Sequence, residues 1–314
     1  MVGSCSAWSG LLSACARPPE PARVAINDWL GYQTLTLAQE LGYFQQTAIR
    51  IIESPSNTAS MIALANKEIP MAALTLDEFL LARENGVDLR VVLVFDESRG
   101  ADVVLGRPGL RTLTDLKGQR VGVESTAVGA LMLTKVLEMA RLQPAEVQKV
   151  ELTLDRHEAA FAEGEVDALV TFEPVATQLR AQGAQVLMDS RQVPGMIVDV
   201  LVGQADFLNE HGEAVRQLLR AHFQAQQAWQ RRPDEAARLL APRLKLQGLQ
   251  MQRALAGLHM LNVAENQAWL AGVQPQLLTS VQVVGDLALR ASLLKQPPSL
   301  TALCDDRFLP EEAA

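Results

Sequence analysis

The sequence predicts an α/β protein folded as two lobes with a binding cleft between them. From residue 23 to residue 95, short apolar segments alternate with segments of helical pattern, which is typical of parallel strands joined by helices. A second alternating series begins near residue 105, and an apolar segment near residue 200 returns the chain to the first lobe. A chain that leaves one lobe and returns to it indicates a hinged body that holds a ligand between its lobes.

The first lobe is predicted to contain four strands, each an apolar run that ends in polar residues. These strands and the residues that follow them are Arg23–Asn27 with Asp28, Ile49–Glu53 with Ser54, Met71–Leu74 with Thr75, and Leu89–Phe95 with Asp96. Helices are predicted over 33–41, up to residue 65, and over 77–84, and Gly42 suits the C-terminal cap of the first. Side chains at the carboxyl ends of such strands are placed to hold a ligand.

The second lobe repeats this pattern. Its predicted strands are Asp102–Gly106, which leads out of the first lobe, then Arg120–Glu124, Val147–Leu152, Ala168–Phe172 and Gln185–Met188. The strand Ala168–Phe172 stops at Glu173-Pro174, and a helix is predicted over 175–182, because proline suits a first helical position. The segment 196–203 alternates and returns the chain to the first lobe.

The remainder of the chain is predicted to be mainly helical. Apolar residues at a spacing of three to four predict helices over 214–231, 233–240, 249–261 and 275–294. The expected organisation is a leader and linker over 1–22, the first part of lobe one over 23–104, lobe two over 105–202, and the helical second part of lobe one over 203–314.

Composition excludes several classes of partner. The chain has 314 residues, 48% hydrophobic and 20% charged, with a net charge of −8 and no block of Lys or Arg. Nucleic acid and anionic membrane surfaces are therefore not expected partners. No apolar run reaches the length of a membrane span. The three cysteines form no CxxC or Cys/His spacing, so we expect neither a metal nor a cofactor.

The segment 1–22 is expected to lie outside the fold. The tetrad Leu12-Ser13-Ala14-Cys15 is similar to a bacterial lipobox, which implies lipid attachment at Cys15, although no Lys or Arg precedes it and the apolar region is short. The alternative is a disordered tail. Contact with a membrane is expected only through such an anchor.

Several motifs, in order and spacing, carry a resemblance to a known family. They are Asp28-Trp29-Leu30-Gly31-Tyr32, Asp96 to Asp102, Asp115 to Val123, Ala160 to Ala168, Thr171-Phe172-Glu173-Pro174, and Asp306-Arg307-Phe308-Leu309. Over residues 23–309 the chain resembles the periplasmic substrate-binding proteins of ABC importers, in the branch that binds nitrate, taurine, sulfonates and thiamine pyrimidine precursors.

The resemblance implies a type II two-lobe periplasmic binding protein fold, with each lobe a mainly parallel sheet flanked by helices. It also implies a monomer outside the cytoplasm that captures a small molecule by lobe closure and delivers it to the transmembrane subunits of an ABC permease.

Candidate ligand-binding residues lie at the predicted strand ends and helix starts. Those on the first lobe and the crossover are Asp28, Trp29, Tyr32, Thr58, Thr75, Asp96, Ser98 and Asp102, and those on the facing wall are Glu124, Thr126, Thr171, Glu173 and Asp199. Trp29 and Tyr32 could cover a flat ligand, or Trp29 could pack as core. Polar residues at helix starts could instead be simple caps.

The charge of this set indicates the kind of ligand. Six candidates are acidic, and Arg99 is the single basic residue nearby. A nitrate or sulfonate site would favour cations and helix N-termini, so the set favours an amine, amide or aminopyrimidine-like ligand. The alternatives are that several carboxylates are solvated, cap helices or form hinge salt bridges, and that the ligand is an anion.

An enzyme on the same fold is a second hypothesis. Enzymes of pyrimidine synthesis with this architecture imply a reactive histidine and a cysteine-rich motif, whereas Cys304 stands alone and the four histidines lie in helix-like segments. We therefore expect no catalysis. A sensory module that docks on a signalling partner is a third hypothesis.

Overall fold

The computed structural model describes residues 22–44, 49–124, 128–246 and 248–311, and these contain eleven strands and twelve α-helices. The strands are β1 Ala22–Ile26, β2 Ile49–Glu53, β3 Met71–Thr75, β4 Leu89–Ser98, β5 Asp102–Gly106, β6 Arg120–Val123, β7 Gln148–Glu151, β8 Ala168–Phe172, β9 Gln185–Asp189, β10 Val198–Gln204 and β11 Leu258–Met260. The helices are α1 Gln33–Glu40, α2 Asn57–Ala65, α3 Leu76–Glu84, α4 Val128–Ala140, α5 His157–Glu163, α6 Val175–Ala181, α7 Ala205–Glu210, α8 Gly212–Arg231, α9 Pro233–Leu244, α10 Leu249–Leu255, α11 Val263–Leu270 and α12 Leu277–Arg290.

The strands form two mixed sheets, with the orders β11-β4-β10-β3-β1-β2 and β7-β6-β8-β5-β9. In the first sheet β1 is parallel to β2 and β3, but β10 is antiparallel to β3 and β4, and β11 is antiparallel to β4. In the second sheet β6 is parallel to β7 and β8, whereas β5 is antiparallel to β8 and β9. Because β10 is antiparallel to both of its neighbours, β1 to β4 all run in one direction, and by the same reasoning β6 to β9 do so in the second sheet. The predicted α/β fold class is confirmed, and the described sheets are mixed through β5, β10 and β11.

The antiparallel pairs arise where the chain crosses between the sheets. The chain leaves the first sheet after β4, enters the second with β5, leaves it after β9 and returns with β10. Because the outgoing and returning strands travel in opposite directions and pair side by side, β4 and β10 are antiparallel, as are β5 and β9. The lobe boundaries at 104/105 and 202/203 stay predictions.

The first sheet is buried on both faces. Along β4, Val91 and Val94 pack in one hydrophobic core, while Val92 and Phe95 pack in the other. Helix α12 contributes to the first of these cores and α8 to the second, so the C-terminal helices cover both faces. Two-sided burial explains why β4 is a continuous apolar run rather than an alternating one.

One predicted helix is only partly helical. The segment 249–261 forms α10 as far as Leu255 and then the short strand β11, which contains His259. Strand β11 pairs with β4 from Ser98 to Asp96, along an edge whose backbone groups would otherwise lack partners. By contrast, the strand predicted over Ala168–Phe172 is confirmed with those bounds. Within the described ranges, no helix is long and apolar enough to cross a membrane.

Candidate ligand-binding cavity

A cavity of about 30 Å³ lies at the crossing between the two sheets, at the ends of β1, β3, β6 and β8 and the starts of β5 and β10. Six residues predicted from the sequence line it: Trp29, Tyr32, Thr75, Asp102, Glu124 and Asp199. The other lining residues are Asn27, Ser56, Asn57, Glu78, Val128, Leu154, Phe172 and Ile197. The crossing therefore brings residues from distant parts of the chain to one site.

A smaller hollow of about 10 Å³ adjoins this cavity, and we call it the side hollow. It shares Asp102, Glu124 and Phe172 with the main cavity, and the predicted residue Thr171 lines it. The Oγ1 of Thr171 lies 3.1 Å from Nδ1 of His157, the first residue of α5, which also lines the hollow.

His157 was not predicted near the site, because its segment has a helical pattern. The side chain is buried, and burial lowers its pKa to about 4, which keeps the imidazole neutral at physiological pH. The histidine in this position supports the wall through Thr171.

The turn after β1 holds Trp29 in place. Its backbone N–H donates to Oδ1 of Asn27 at 2.8 Å, and Nε2 of Gln33 donates to the carbonyl oxygen of Trp29 at 2.9 Å. The indole Nε1 donates to Oδ2 of Asp96 at 3.3 Å, and the ring meets Phe172 edge-on with centroids 5.5 Å apart. Trp29 therefore both packs as core and presents surface to the cavity.

Tyr32 lies deeper and is fully buried. Its hydroxyl donates to Oδ1 of Asp199 at 2.5 Å, and its ring packs against Phe95. Burial, and then the negative charge of Asp199, raises the pKa of Tyr32 well above its usual value, so the phenol stays protonated and acts as a donor.

Two buried carboxyls face each other across paired strands. Asp96 of β4 is the register partner of Asp199 of β10, and both are almost completely buried. Burial is the main cause that raises the pKa of each well above its usual value, and their mutual repulsion contributes to that of Asp199. Both effects favour the protonated form of these carboxyls over the ionised form.

Asp102 and Glu124 lie on the second-sheet side of the cavity. Burial raises the pKa of Asp102 to about 7, although its hydrogen bond with Ser98 lowers that pKa. The charge of Asp77 adds to the rise. Burial also raises the pKa of Glu124, with a smaller contribution from Asp77.

Sequence reasoning missed a polar chain formed by Asn27, Asn57 and Glu78. Nδ2 of Asn27 donates to Oδ1 of Asn57 at 2.9 Å, and Nδ2 of Asn57 donates to Oε2 of Glu78 at 2.6 Å. The same carboxylate oxygen accepts from the backbone N–H of Thr75 at 2.9 Å. The pattern Thr75-x-x-Glu78 is a capping box and was the available signal.

Glu78 is almost completely buried. Burial, followed by the charge of Asp77, raises its pKa to about 8.

The other predicted residues do not line the main cavity. Asp28 is exposed and pairs with Arg243 at 3.0 Å, and Asp96 lies behind Trp29. Ser98 is buried with its hydroxyl 2.8 Å from that of Ser190. Thr58 lies in α2 outside the lining, while Thr126 and Cys15 fall outside the described residues.

Glu173 caps a helix instead of facing the cavity. Its Oε2 accepts from the backbone N–H of Thr177 and its Oε1 from the Thr177 hydroxyl, both at 3.0 Å. The carboxyl of Glu173 is thereby occupied as a hydrogen-bond acceptor for the first turn of α6.

The lining of the main cavity is acidic. It contains Glu78, Asp102, Glu124 and Asp199, and no Lys or Arg among the residues that the structure describes. Arg99, the basic candidate, points elsewhere and pairs with Glu97 at 2.8 Å. In the described part of the chain, no group of three or more His, Cys, Asp or Glu side chains is placed to hold a metal ion.

Two mixed sheets, a double crossing between them and a cavity lined by acidic residues at that crossing define the architecture of a two-lobe periplasmic binding protein. The chain belongs to the NMT1/THI5-like family, whose model matches residues 31–236.

Three comparisons illustrate its relationships. The taurine-binding periplasmic protein of Escherichia coli (strain K12) is 26% identical over 218 residues, which are 68% of this chain and 65% of that protein. The alkanesulfonate-binding protein SsuA from Xanthomonas axonopodis pv. citri, solved bound to MOPS, aligns with a TM-score of 0.74 and 22% identity over 90% of this chain and 97% of its own. The desulfurization enzyme DSZB aligns with a TM-score of 0.66 and 16% identity over 93% and 98%. At these identities the two structures show the shared fold alone.

Proposed function

We propose that this chain is the solute-binding protein of an ABC importer, and that its cavity captures a small ligand bearing an amine, an amide or an aminopyrimidine-like ring. The ligand would be held between the lobes, which close around it. The taurine-binding relative and the family membership support the first part of the proposal. The composition of the cavity supports the second.

The observation that carries the ligand class is the acidic lining without a described cation. Oδ2 of Asp102, Oδ2 of Asp199 and Oε1 of Glu78 are buried and have no hydrogen-bond partner within the described residues. Buried carboxyl oxygens without donors are costly, so a ligand rich in N–H groups would stabilise them. Trp29 and Phe172 add apolar surface for the body of such a ligand.

Binding of a sulfonate is the second candidate, and the taurine-binding relative and the SsuA structure support it by name. A sulfonate would have to be held by neutral donors in this cavity, such as the amides of Asn27 and Asn57 and the protonated carboxyls of Asp102 and Glu78. Taurine carries both an ammonium group and a sulfonate, so it alone cannot distinguish the two candidates.

Thermal-shift measurements with matched probes separate these ligand classes. Primary amines, an aminopyrimidine, alkanesulfonates without an amine, and taurine would be tested at equal concentrations, because a ligand that binds only the folded state raises the melting temperature. We expect stabilisation by the amine or aminopyrimidine. Stabilisation by plain alkanesulfonates alone would refute the proposed ligand class.

The pH dependence of affinity provides a sharper test, because the two candidates require opposite protonation states. The pKa values of Asp102 and Glu78 are raised to about 7 and about 8, so these carboxyls ionise as the pH rises from about 6.5 to 8.5. A permanently charged ammonium ligand should bind more tightly at the higher pH, by about tenfold for one newly ionised partner. A sulfonate should bind more weakly.

Isothermal titration at the two pH values measures this change, and Glu78→Gln should reduce it. A matched control is Glu163→Ala, which removes an exposed acid of α5 outside the cavity. Ammonium affinity that is independent of pH would contradict a direct role for these carboxyls.

The remaining parts of the proposal concern location, partners and turnover. We propose a monomer outside the cytoplasm that delivers its ligand to permease subunits, and the periplasmic relative supports the location. Lipid attachment at Cys15 is supported by the tetrad Leu12-Ser13-Ala14-Cys15. Mass spectrometry of the protein isolated from its native membrane fraction tests that attachment. The alternative of an enzyme, for which DSZB shows only that the fold permits one, predicts product formation from a bound ligand, and we expect the ligand to be recovered unchanged.

A further inference from the structure

A second concave surface lies beside the chain crossing, back to back with the cavity. This groove, which we call the arginine groove, has a volume of about 500 Å³. Residues close together in the chain line different sites. Gly100 and Glu173 line the groove, whereas Asp102 and Phe172 line the cavity. The two sites thus lie on opposite sides of the same layer of backbone, joined where the N–H of Glu173 donates to the carbonyl oxygen of Ala101 at 3.0 Å.

Four exposed arginines from different parts of the chain converge on this groove. Arg99 follows β4, Arg180 lies in α6, Arg191 follows β9 and Arg253 lies in α10. Helices α6 and α10 pack against each other, so groups from the second lobe and from the C-terminal helices share one surface. Such a concentration of positive charge is unusual on a chain with a net charge of −8.

Two of these arginines are only partly neutralised. Arg99 uses Nε and Nη2 toward Glu97, at 3.0 and 2.8 Å, and Arg191 uses Nε and Nη2 toward Asp189, at 2.9 and 2.5 Å. The Nη1 group of each makes no hydrogen bond with the described residues.

The guanidinium groups of the other two arginines, Arg180 and Arg253, form no hydrogen bond or ion pair with the residues that the structure describes, although Arg180 interacts electrostatically with Glu173 and Asp189. Glu173 is the one acid among the described lining residues, and both of its oxygens accept from Thr177. The groove therefore retains two guanidinium groups without a direct ion-pair partner among the described residues, beside two that have free N–H groups.

We propose that the arginine groove binds a small multivalent oxyanion of the phosphate or pyrophosphate type, held between Arg180 and Arg253. Guanidinium groups donate paired N–H bonds to phosphate oxygens, and an anion between several of them relieves their mutual repulsion. Arg99 and Arg191 supply further N–H donors. The bound anion links α6 to α10 across the crossing, and its site is separate from the acidic cavity.

Isothermal titration with inorganic pyrophosphate, at low and fixed ionic strength, tests this site without knowledge of the cavity ligand. The wild-type chain should bind pyrophosphate, and the double variant Arg180→Gln/Arg253→Gln should bind about tenfold more weakly or worse, as expected for two lost charge-assisted contacts. Arg231→Gln is the matched control, since Arg231 is also exposed but lies at the end of α8 outside the groove. Its affinity should remain within about twofold of wild type.

Circular dichroism without anion establishes that the variants are folded. Equal affinity in the double variant and the wild type, an equal loss in Arg231→Gln, or no heat of binding by the wild type would each overturn the proposal.

A phosphate could also belong to a lipid, so flotation with phosphatidylglycerol vesicles against phosphatidylcholine vesicles is a second arm. Capture by the anionic vesicles without affinity for pyrophosphate would assign the groove to a membrane surface and refute a free oxyanion.

Discussion

At the scale of single residues, one glycine decides how closely two parts of the cavity wall approach. A Cβ on Gly31 would lie 1.8 Å from Oδ2 of Asp96 and 2.9 Å from Nε1 of Trp29. These are the two atoms of the hydrogen bond that holds the indole against β4. The absence of a side chain at Gly31 therefore permits the contact between the first loop and the buried carboxyl.

The substitution Gly31→Ala should consequently destabilise the chain. Overpacking of this kind typically costs about 1–3 kcal/mol, since the side chain of Asp96 is buried and has little room to move. Urea denaturation monitored by tryptophan fluorescence measures the change. If the two single changes acted independently, their losses of stability would add in the double variant Gly31→Ala/Asp96→Ala. The double variant should instead lose less than that sum, because truncation of Asp96 removes the clash. A midpoint of Gly31→Ala equal to wild type would contradict the close approach.

At the scale of elements, two adjacent residues at the end of β8 have different roles. Phe172 faces the cavity, whereas Glu173, the next residue, turns to the arginine groove and caps α6. Adjacent residues at a strand end point to opposite faces. The carboxyl of Glu173 is therefore assigned to helix α6 rather than to the ligand.

Glu173→Ala should reduce stability without weakening binding to the cavity. Loss of a helix-capping acceptor costs about 0.5–2 kcal/mol, and Glu173→Gln should cost less, because its amide oxygen still accepts one bond. Glu163→Ala, the exposed acid of α5, serves as the control for removal of a negative charge. Urea midpoints and titration with the ligand found by thermal shift provide the two readouts. Unchanged stability together with lost affinity would place the carboxylate on the ligand instead.

How far the sequence predicts these elements depends on whether a local signal exists. The bounds of β8 follow from a continuous apolar run closed by Glu173-Pro174, and both are local features. Strand β11 does not, because its three residues become a strand only by pairing with β4. Similarly, the direction of β5 depends on which neighbours it meets after the crossing.

The same distinction applies to the cavity. Trp29 and Tyr32 were predicted because they lie in the loop after the first strand. Asp199 was predicted on the facing wall, but it lines the cavity from β10 of the first sheet. Glu78 was missed, and Asn57 was left open between a ligand contact and a cap, because both lie within the first turns of helices, where a polar residue usually serves as a cap. Only tertiary contact shows that these two also form part of the wall.

At the scale of the whole molecule, the charge is divided between the two sides of the crossing. Buried acids line the cavity, and exposed arginines line the groove behind it. The acids are kept from full ionisation by burial, so the folded chain carries less negative charge at this site than its composition suggests. Folding is thereby linked to proton binding.

The unliganded protein should therefore lose stability as the pH rises from about 6.5 to 8.5. The pKa values of Asp102 and Glu78 are raised to about 7 and about 8, while in the unfolded chain such groups ionise near 4. In this range the folded state binds more protons than the unfolded state, and stability falls with pH until the folded groups ionise. The buried His157 and His222, with pKa values lowered to about 4 and about 3, act in the opposite direction, but mainly below pH 6.5.

Urea midpoints measured across the range should fall, and Glu78→Gln should flatten the curve because it removes one of the linked protons. A midpoint that stays constant or rises would mean that these carboxyls are already ionised in the folded cavity, and the acidic wall would then hold its charge without a ligand.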